Sequence, residues 1–81
     1  MDISVSFFAS QKDVVGAETV NVTIPDGSLL RDLFAVLAGM FPALASRLPF
    51  TRAAVNEVYC PLSQTLWPGD SVALIPPVSG G

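Results

Sequence analysis

The residues best suited to chemistry stand together at the C-terminal end of the chain, Pro76-Pro77-Val78-Ser79-Gly80-Gly81. Prolines cannot donate to a β-ladder and glycines have nothing to pack, so after Ile75 the chain is expected to leave the folded body. Six residues at ~3.3 Å each reach roughly 20 Å. The prolines would stiffen the base of such an arm, while the glycines would let the Gly81 carboxylate enter a channel too narrow for any Cβ. A frayed terminus, common at chain ends, is the other reading of the same residues.

Elsewhere the available chemistry is bounded by what the chain lacks. With no histidine, Ser–His and Cys–His nucleophile pairs have no base, and His-containing zinc sites are excluded as well. The single cysteine, Cys60, can neither close an internal disulfide nor build a thiolate cage. It has no neighbouring cation in sequence to make a thiolate, and so reads first as a small half-buried hydrophobe and second as a sulfur relay. Asp26, Asp32 and Asp70 fall at turns and at a helix start, positions that explain carboxylates without a metal, and no metal site is expected. Trp67, beside Pro68-Gly69, reads equally as a partner contact or as a turn aromatic covering the edge of the core.

Composition restricts the partners. The 81 residues leave room for one small domain, and the charged fraction, 14%, lies well under the roughly 25% of an average soluble domain. A domain of this size keeps on the order of 40% of its unfolded-chain surface in water, so a chain that is 51% hydrophobic must expose apolar side chains. A partner protein accounts for them. The net charge of −3 opposes binding to nucleic acid or anionic lipid, which attract clustered Lys and Arg. The uncharged stretch from Leu33 to Ser46 is shorter than the ~20 residues of a membrane span, and Met1-Asp2 opens with an acid rather than a basic signal-peptide region. The expected location is the cytoplasm.

The elements that must position the tail follow from periodicity. Ile3-Ser4-Val5-Ser6-Phe7 alternates as a half-buried strand with its odd positions inward, which leaves Phe8 on the outer face. Val20-Asn21-Val22-Thr23-Ile24 repeats the alternation and stops at the turn Pro25-Asp26-Gly27. Gln11 to Glu18, around Gly16, reads as the loop of an antiparallel hairpin. Ser28 is the candidate N-cap of a helix with Asp32 in its first turn. Leu30, Leu33, Phe34 and Leu37 form its buried stripe, and Gly39 and then Pro42 end it. Phe41, Leu44 and Leu48 extend a looser helical turn. Arg52 to Asn56 reads as a third strand, Asn56-Glu57 as its turn, and Val58 to Pro61 as a short return. After the turn at Leu66 to Asp70, Ser71 to Pro76 is a last strand with Val72 and Leu74 inward.

Two hairpins flanking one helix, with the last strand free to lie beside the first, predict an α+β, ubiquitin-like arrangement with a mixed sheet of four to five strands on one main helix. A split βαβ, ferredoxin-like fold would need a second long helix, which Pro42 to Pro49 is too short to supply. Phe8 and Ile75 take the outward phase of strands expected side by side, and Tyr59 follows the third-strand turn. Together they are the candidate apolar partner patch, against the alternative of scattered surface hydrophobes.

Phe7-Phe8-Ala9, Ala54-Val55-Asn56 and Gly69-Asp70-x-Val72 running into Pro76-Pro77-Val78-Ser79-Gly80-Gly81 resemble the small, sulfur-carrying subunits of molybdopterin synthase, in order and spacing, over essentially the whole chain. The Gly-Asp to Gly-Gly ending is shared by ubiquitin-like sulfur carriers generally, including those of thiamine thiazole synthesis and tRNA thiolation. The Phe-Phe-Ala strand and the Pro-Pro-Val arm favour molybdopterin.

The resemblance implies a β-grasp domain over residues 1–75 and a tail over 76–81. It implies a cycle at the α-carboxylate of Gly81, which an E1-like enzyme adenylates with ATP and Mg²⁺ before sulfur from a persulfide donor replaces AMP. The large synthase subunit, expected with this chain in a heterotetramer, then takes in the tail, and the thiocarboxylate sulfur passes to cyclic pyranopterin monophosphate in molybdenum cofactor biosynthesis. On this reading the chain holds no stable cofactor and is not catalytic alone, which suits a sequence without histidine. Two further hypotheses stand beside it, a carrier for another sulfur pathway and a ubiquitin-like interaction module whose Gly-Gly end is conjugated or inert.

Overall fold

A computed structural model describes residues 1–77. Strand β1 (Asp2–Phe7) leads into a short helix α1 (Ser10–Val15) and returns as β2 (Thr19–Thr23). The main helix α2 (Leu30–Met40) is followed by a one-turn helix α3 (Pro42–Ala45) and a 3₁₀ turn (Leu48–Phe50). Three strands then follow: β3 (Arg52–Val55), β4 (Val58–Cys60) and β5 (Ser71–Ile75). The sheet runs β2-β1-β5-β3-β4, with β1 and β5 parallel and the other pairs antiparallel.

One face of this sheet is buried, most regularly along β1 and β5, where buried and part-exposed residues alternate. Ile3, Val5 and Phe7 from β1, Val22 from β2, Ala53 and Val55 from β3, and Val72 and Leu74 from β5 all point inward. Leu30, Leu33, Phe34 and Leu37 of α2 lie in the same core, and Leu44, Leu48 and Leu66 close it. Phe7 meets Phe41 edge-on, with ring centroids 6.1 Å apart. The expected mixed sheet wrapped on one main helix is therefore present, with the expected inward residues of β1, α2 and β5 in the core and Val20 of β2 partly buried against it. Among the described residues no helix is long and apolar enough to cross a membrane.

Three local expectations are corrected. Gln11 to Glu18 is not a plain hairpin loop: α1 occupies its first half and stops at Gly16, whose φ of +82° only glycine adopts without strain and whose N–H donates to the Lys12 carbonyl. The strands still pair antiparallel around this insertion, the Phe7 N–H donating to the Glu18 carbonyl at 2.8 Å. Ser28 does not cap α2; its hydroxyl donates back to the Pro25 carbonyl at 2.7 Å, across a turn that Gly27 closes with φ of +84°. Leu29 takes the cap position, and since leucine has no acceptor only the carboxylate half of a capping box forms, the Leu29 N–H donating to Asp32 at 2.8 Å. Nor does Gly39 end the helix. α2 runs through it to Met40, because one glycine costs only about 1 kcal/mol whereas Pro42 removes a donor and clashes.

Candidate functional site

The tail leaves from the middle strand of the sheet. β5 is hydrogen-bonded to β1 on one side and β3 on the other, and Val72 and Leu74 anchor it in the core. Its far end is fixed by the Gly69-Asp70 motif. Gly69 turns with φ of +84°, and the Asp70 carboxylate accepts from the Trp67 N–H at 2.8 Å and from the Asn56 side-chain amide at 2.9 Å. Asn56 in turn accepts from the Ser71 N–H, so the start of β5 is tied to the β3–β4 turn. That turn is a two-residue connection with φ of +49° at Asn56 and +73° at Glu57, the backbone hand that suits a tight hairpin. The motif sets the register of β5, and the register sets where the chain emerges.

At the emerging end, Pro76 is half-buried and Pro77 exposed. Together with Ser10, Gln11, Arg47 and Phe50 they line a cleft of about 250 Å³. A ring of hydrogen bonds underlies it. The Arg47 guanidinium donates to the Ser10 hydroxyl at 2.9 Å, the Gln11 amide donates to the Thr51 hydroxyl at 2.7 Å, and that hydroxyl donates to the Arg47 carbonyl at 2.9 Å. Gln11 is only 1% exposed, and its Oε1 has no hydrogen-bond partner among the described residues. The candidate tail residues Val78, Ser79, Gly80 and Gly81 lie outside the described residues.

The outer face of the sheet carries the other candidates. Phe8 is 48% and Tyr59 58% exposed, while Ile75 is half-buried. Phe7 pairs with Leu74, which places Phe8 and Ile75 one step further along neighbouring strands. Across β5, Ile75 pairs with Arg52, and the Arg52 guanidinium lies 5.0 Å from the centre of the Tyr59 ring. The structure thus brings the three residues onto one surface and inserts a cation between Ile75 and Tyr59. Arg52 was not singled out from the sequence, because its position depends on cross-strand register. The same is true of Arg47 and Gln11, whose partners are remote in sequence.

The remaining candidates separate. Asp26 pairs with the N-terminal ammonium at 3.1 Å, Asp32 holds the start of α2 and Asp70 the turn before β5, so the three carboxylates do not meet. Among the described residues no group of three His, Cys, Asp or Glu side chains is placed to hold a metal. Cys60 is half-buried on β4, its thiol directed to the Val58 carbonyl at 3.2 Å. In the turn before β5 the buried residue is Leu66, whereas Trp67 is largely exposed and covers little of the core edge.

The model of the ThiS family matches residues 5–81. The molybdopterin synthase sulfur carrier subunit of Chlamydomonas reinhardtii is 36% identical over the whole of both chains. Small archaeal modifier protein 1 of Haloferax volcanii is 33% identical over 91% of this chain and 94% of its own, and its crystal structure superposes with a TM-score of 0.91 at 30% identity over all of both chains. A protein–protein complex of subunits 1 and 2 of the molybdopterin-converting factor of Helicobacter pylori contains a chain that matches with a TM-score of 0.73 at 28% identity, again over all of both chains. A five-stranded mixed sheet grasping one main helix, with a C-terminal segment launched from its middle strand, defines a ubiquitin-like β-grasp protein. Within that class the chain belongs to the ThiS family.

Proposed function

We propose that this protein is the sulfur-carrier subunit of a molybdopterin synthase, acting through the carboxylate of Gly81. One observation carries the reading: similarity over the whole chain to a relative of that name, in a sequence whose middle strand runs into Pro-Pro-Val-Ser-Gly-Gly. An ionised carboxylate is a poor electrophile. In the proposed cycle a carboxylate oxygen of Gly81 attacks the α-phosphate of ATP on an E1-like enzyme, pyrophosphate leaves, and the acyl-adenylate gains the leaving group the carboxylate lacked. The terminal sulfur of a persulfide donor then displaces AMP to give an acyl disulfide, and a second thiol takes the donor's sulfur into a disulfide of its own, leaving the thiocarboxylate on Gly81.

The tail next enters the large synthase subunit, where its sulfur bonds to a carbon of cyclic pyranopterin monophosphate and water cleaves the remaining C–S bond to Gly81, regenerating the carboxylate. Gly80 and Gly81 would offer an unhindered carbonyl carbon on a thin backbone, and none of these steps needs an acid or base from the carrier. Phe8, Ile75 and Tyr59 would supply the apolar contact to the large subunit, and Pro76-Pro77 a stiff lead into its channel. The chain alone would catalyse nothing and hold no resident cofactor; ATP and Mg²⁺ would belong to the activating enzyme. A single cysteine suits a reducing compartment, so the cycle is assigned to the cytoplasm.

The test is reconstitution. Thiocarboxylated chain, mixed with the large subunit and cyclic pyranopterin monophosphate, is expected to yield molybdopterin and return the carboxylate form. Absence of product with a demonstrably thiocarboxylated chain would refute the reading. The match to an archaeal modifier protein supports a second reading, in which Gly81 is joined to amines of other proteins. Amide-linked adducts formed in cells, with no support of molybdopterin synthesis, would select it.

A further inference from the structure

The cleft at the root of the tail is not used by the chemistry described above, and its charge is unmatched. The sequence holds seven carboxylate side chains and four cationic ones. Among the described residues Lys12 pairs with Glu18 at 3.3 Å, while no carboxylate lies within ion-pairing distance of Arg31, Arg47 or Arg52; of these three arginines Arg47 is the one that lines the cleft. Arg47 nevertheless has a fixed place. Its guanidinium donates to Ser10 on α1, and its backbone carbonyl accepts from Thr51, which Gln11 holds from the other side. A guanidinium has five N–H donors and this bond uses one, so most of its hydrogen-bonding capacity faces outward. Phe50, which is 70% exposed, and Pro76 and Pro77 give the same cleft its apolar lining.

We propose that this cleft receives an acidic side chain of the large synthase subunit, its carboxylate on Arg47 and its methylenes against Phe50 and Pro77. The inference rests on the reading of function given above. Three features support this occupant. Pro76 and Pro77 line the cleft, so a protein that encloses the four residues beyond them must pass over it. A chain of net charge −3 draws no polyanion, which leaves a single carboxylate as the partner for one isolated cation. A relative of this chain, similar over its whole length, occurs in a complex with a second subunit. A pre-positioned arginine in a partly apolar cleft binds a carboxylate in a fixed direction, and so acts as a check on which protein closes over the tail.

The experiment measures binding of the large subunit from the same organism to the full chain and to Arg47→Ala, Arg47→Glu and Arg31→Ala, by titration calorimetry at low and high salt. Arg47→Ala is expected to weaken binding about fivefold and Arg47→Glu more than about tenfold at low salt, both differences shrinking at high salt; Arg31→Ala should match the unaltered chain. Thermal melting checks the fold, and if Arg47→Glu fails to fold, Arg47→Gln, a neutral side chain that still carries N–H donors, decides the matter. Binding of the unaltered chain that neither charge-removing variant weakens beyond about twofold overturns this inference alone. Tighter binding on charge reversal also overturns it, marking the chain's own terminal carboxylate as the occupant. No binding by the unaltered chain overturns the reading of function and this inference with it.

Discussion

Gln11→Met exchanges one buried side chain for another of equal length and similar volume, and the direction of its effect follows from the hydrogen bonds around it. The bond from the Gln11 amide to Thr51, 2.7 Å long, is lost, at a cost of about 0.5–1.5 kcal/mol. No donor is orphaned by this change, because the Thr51 hydroxyl still donates to the Arg47 carbonyl. A stronger effect acts in the opposite direction. Oε1 is a buried acceptor without a partner among the described residues, and removing such a group relieves about 1–3 kcal/mol. Helix propensity is nearly equal for the two residues, so α1 itself is indifferent.

The expected net effect is a stabilisation of about 1 kcal/mol, which for a domain of this size raises Tm by about 4–8 °C. Thermal and urea unfolding followed by circular dichroism would read both numbers. A loss of about 1 kcal/mol or more would refute the reasoning, since it would mean that Oε1 is satisfied in solution and that Gln11 belongs to a complete polar network.

Other perturbations test other parts of the structure. Ala9 has φ of +52° and ψ of −132°, a conformation suited to glycine. Strain there of about 1–3 kcal/mol outweighs the entropy glycine adds to the unfolded chain, so Ala9→Gly should raise the urea midpoint; a lower midpoint would show that the corner after β1 is unstrained. Phe8→Arg should leave stability within about 0.5 kcal/mol yet weaken binding of the large subunit more than about tenfold; if the variant unfolds instead, Phe8 belongs to the core. Adding one residue after Gly81, or replacing Gly80 by Val, should leave the melting curve unchanged and abolish sulfur transfer. Misplacing the reactive carbonyl by even ~1 Å costs on the order of 100-fold in rate, and an extended chain that still supports molybdopterin formation untrimmed would contradict the tail's assigned role.

The parts of the fold that were legible in the sequence are those where one face is buried over several residues. Ile3, Val5 and Phe7 alternate, Leu30, Leu33, Phe34 and Leu37 recur at helical spacing, and each set lies in the core because no other arrangement hides it from water. Asn56 marked a turn by its tolerance of positive φ, and Gly69-Asp70 marked another. The six residues of α1 left no such trace, since a helix that buries chiefly Gln11 has no apolar stripe. Ser28 misled because its hydroxyl had two acceptable destinations, and the turn at Pro25 supplied the nearer one.

The outer surface was half legible. Strand phase alone turns Phe8 and Ile75 outward, but the Arg52 guanidinium over Tyr59 depends on the register of three strands. The cleft was not legible at all. Its ring joins residues 37 and 40 positions apart, and only the packing of α1 against the turn before β3 brings them together.

The central claim is that the Gly81 carboxylate becomes a thiocarboxylate. Intact-mass analysis of the full chain, incubated with its adenylating enzyme and a persulfide donor in the presence and absence of ATP, addresses it directly. The account predicts an ATP-dependent gain equal to the mass difference between one sulfur and one oxygen, localised by fragmentation to Gly81 and absent when Gly81 is followed by an extra residue. A chain whose mass is unchanged by an activating enzyme that modifies another carrier in the same buffer, or a sulfur found on Cys60 instead of Gly81, would contradict it.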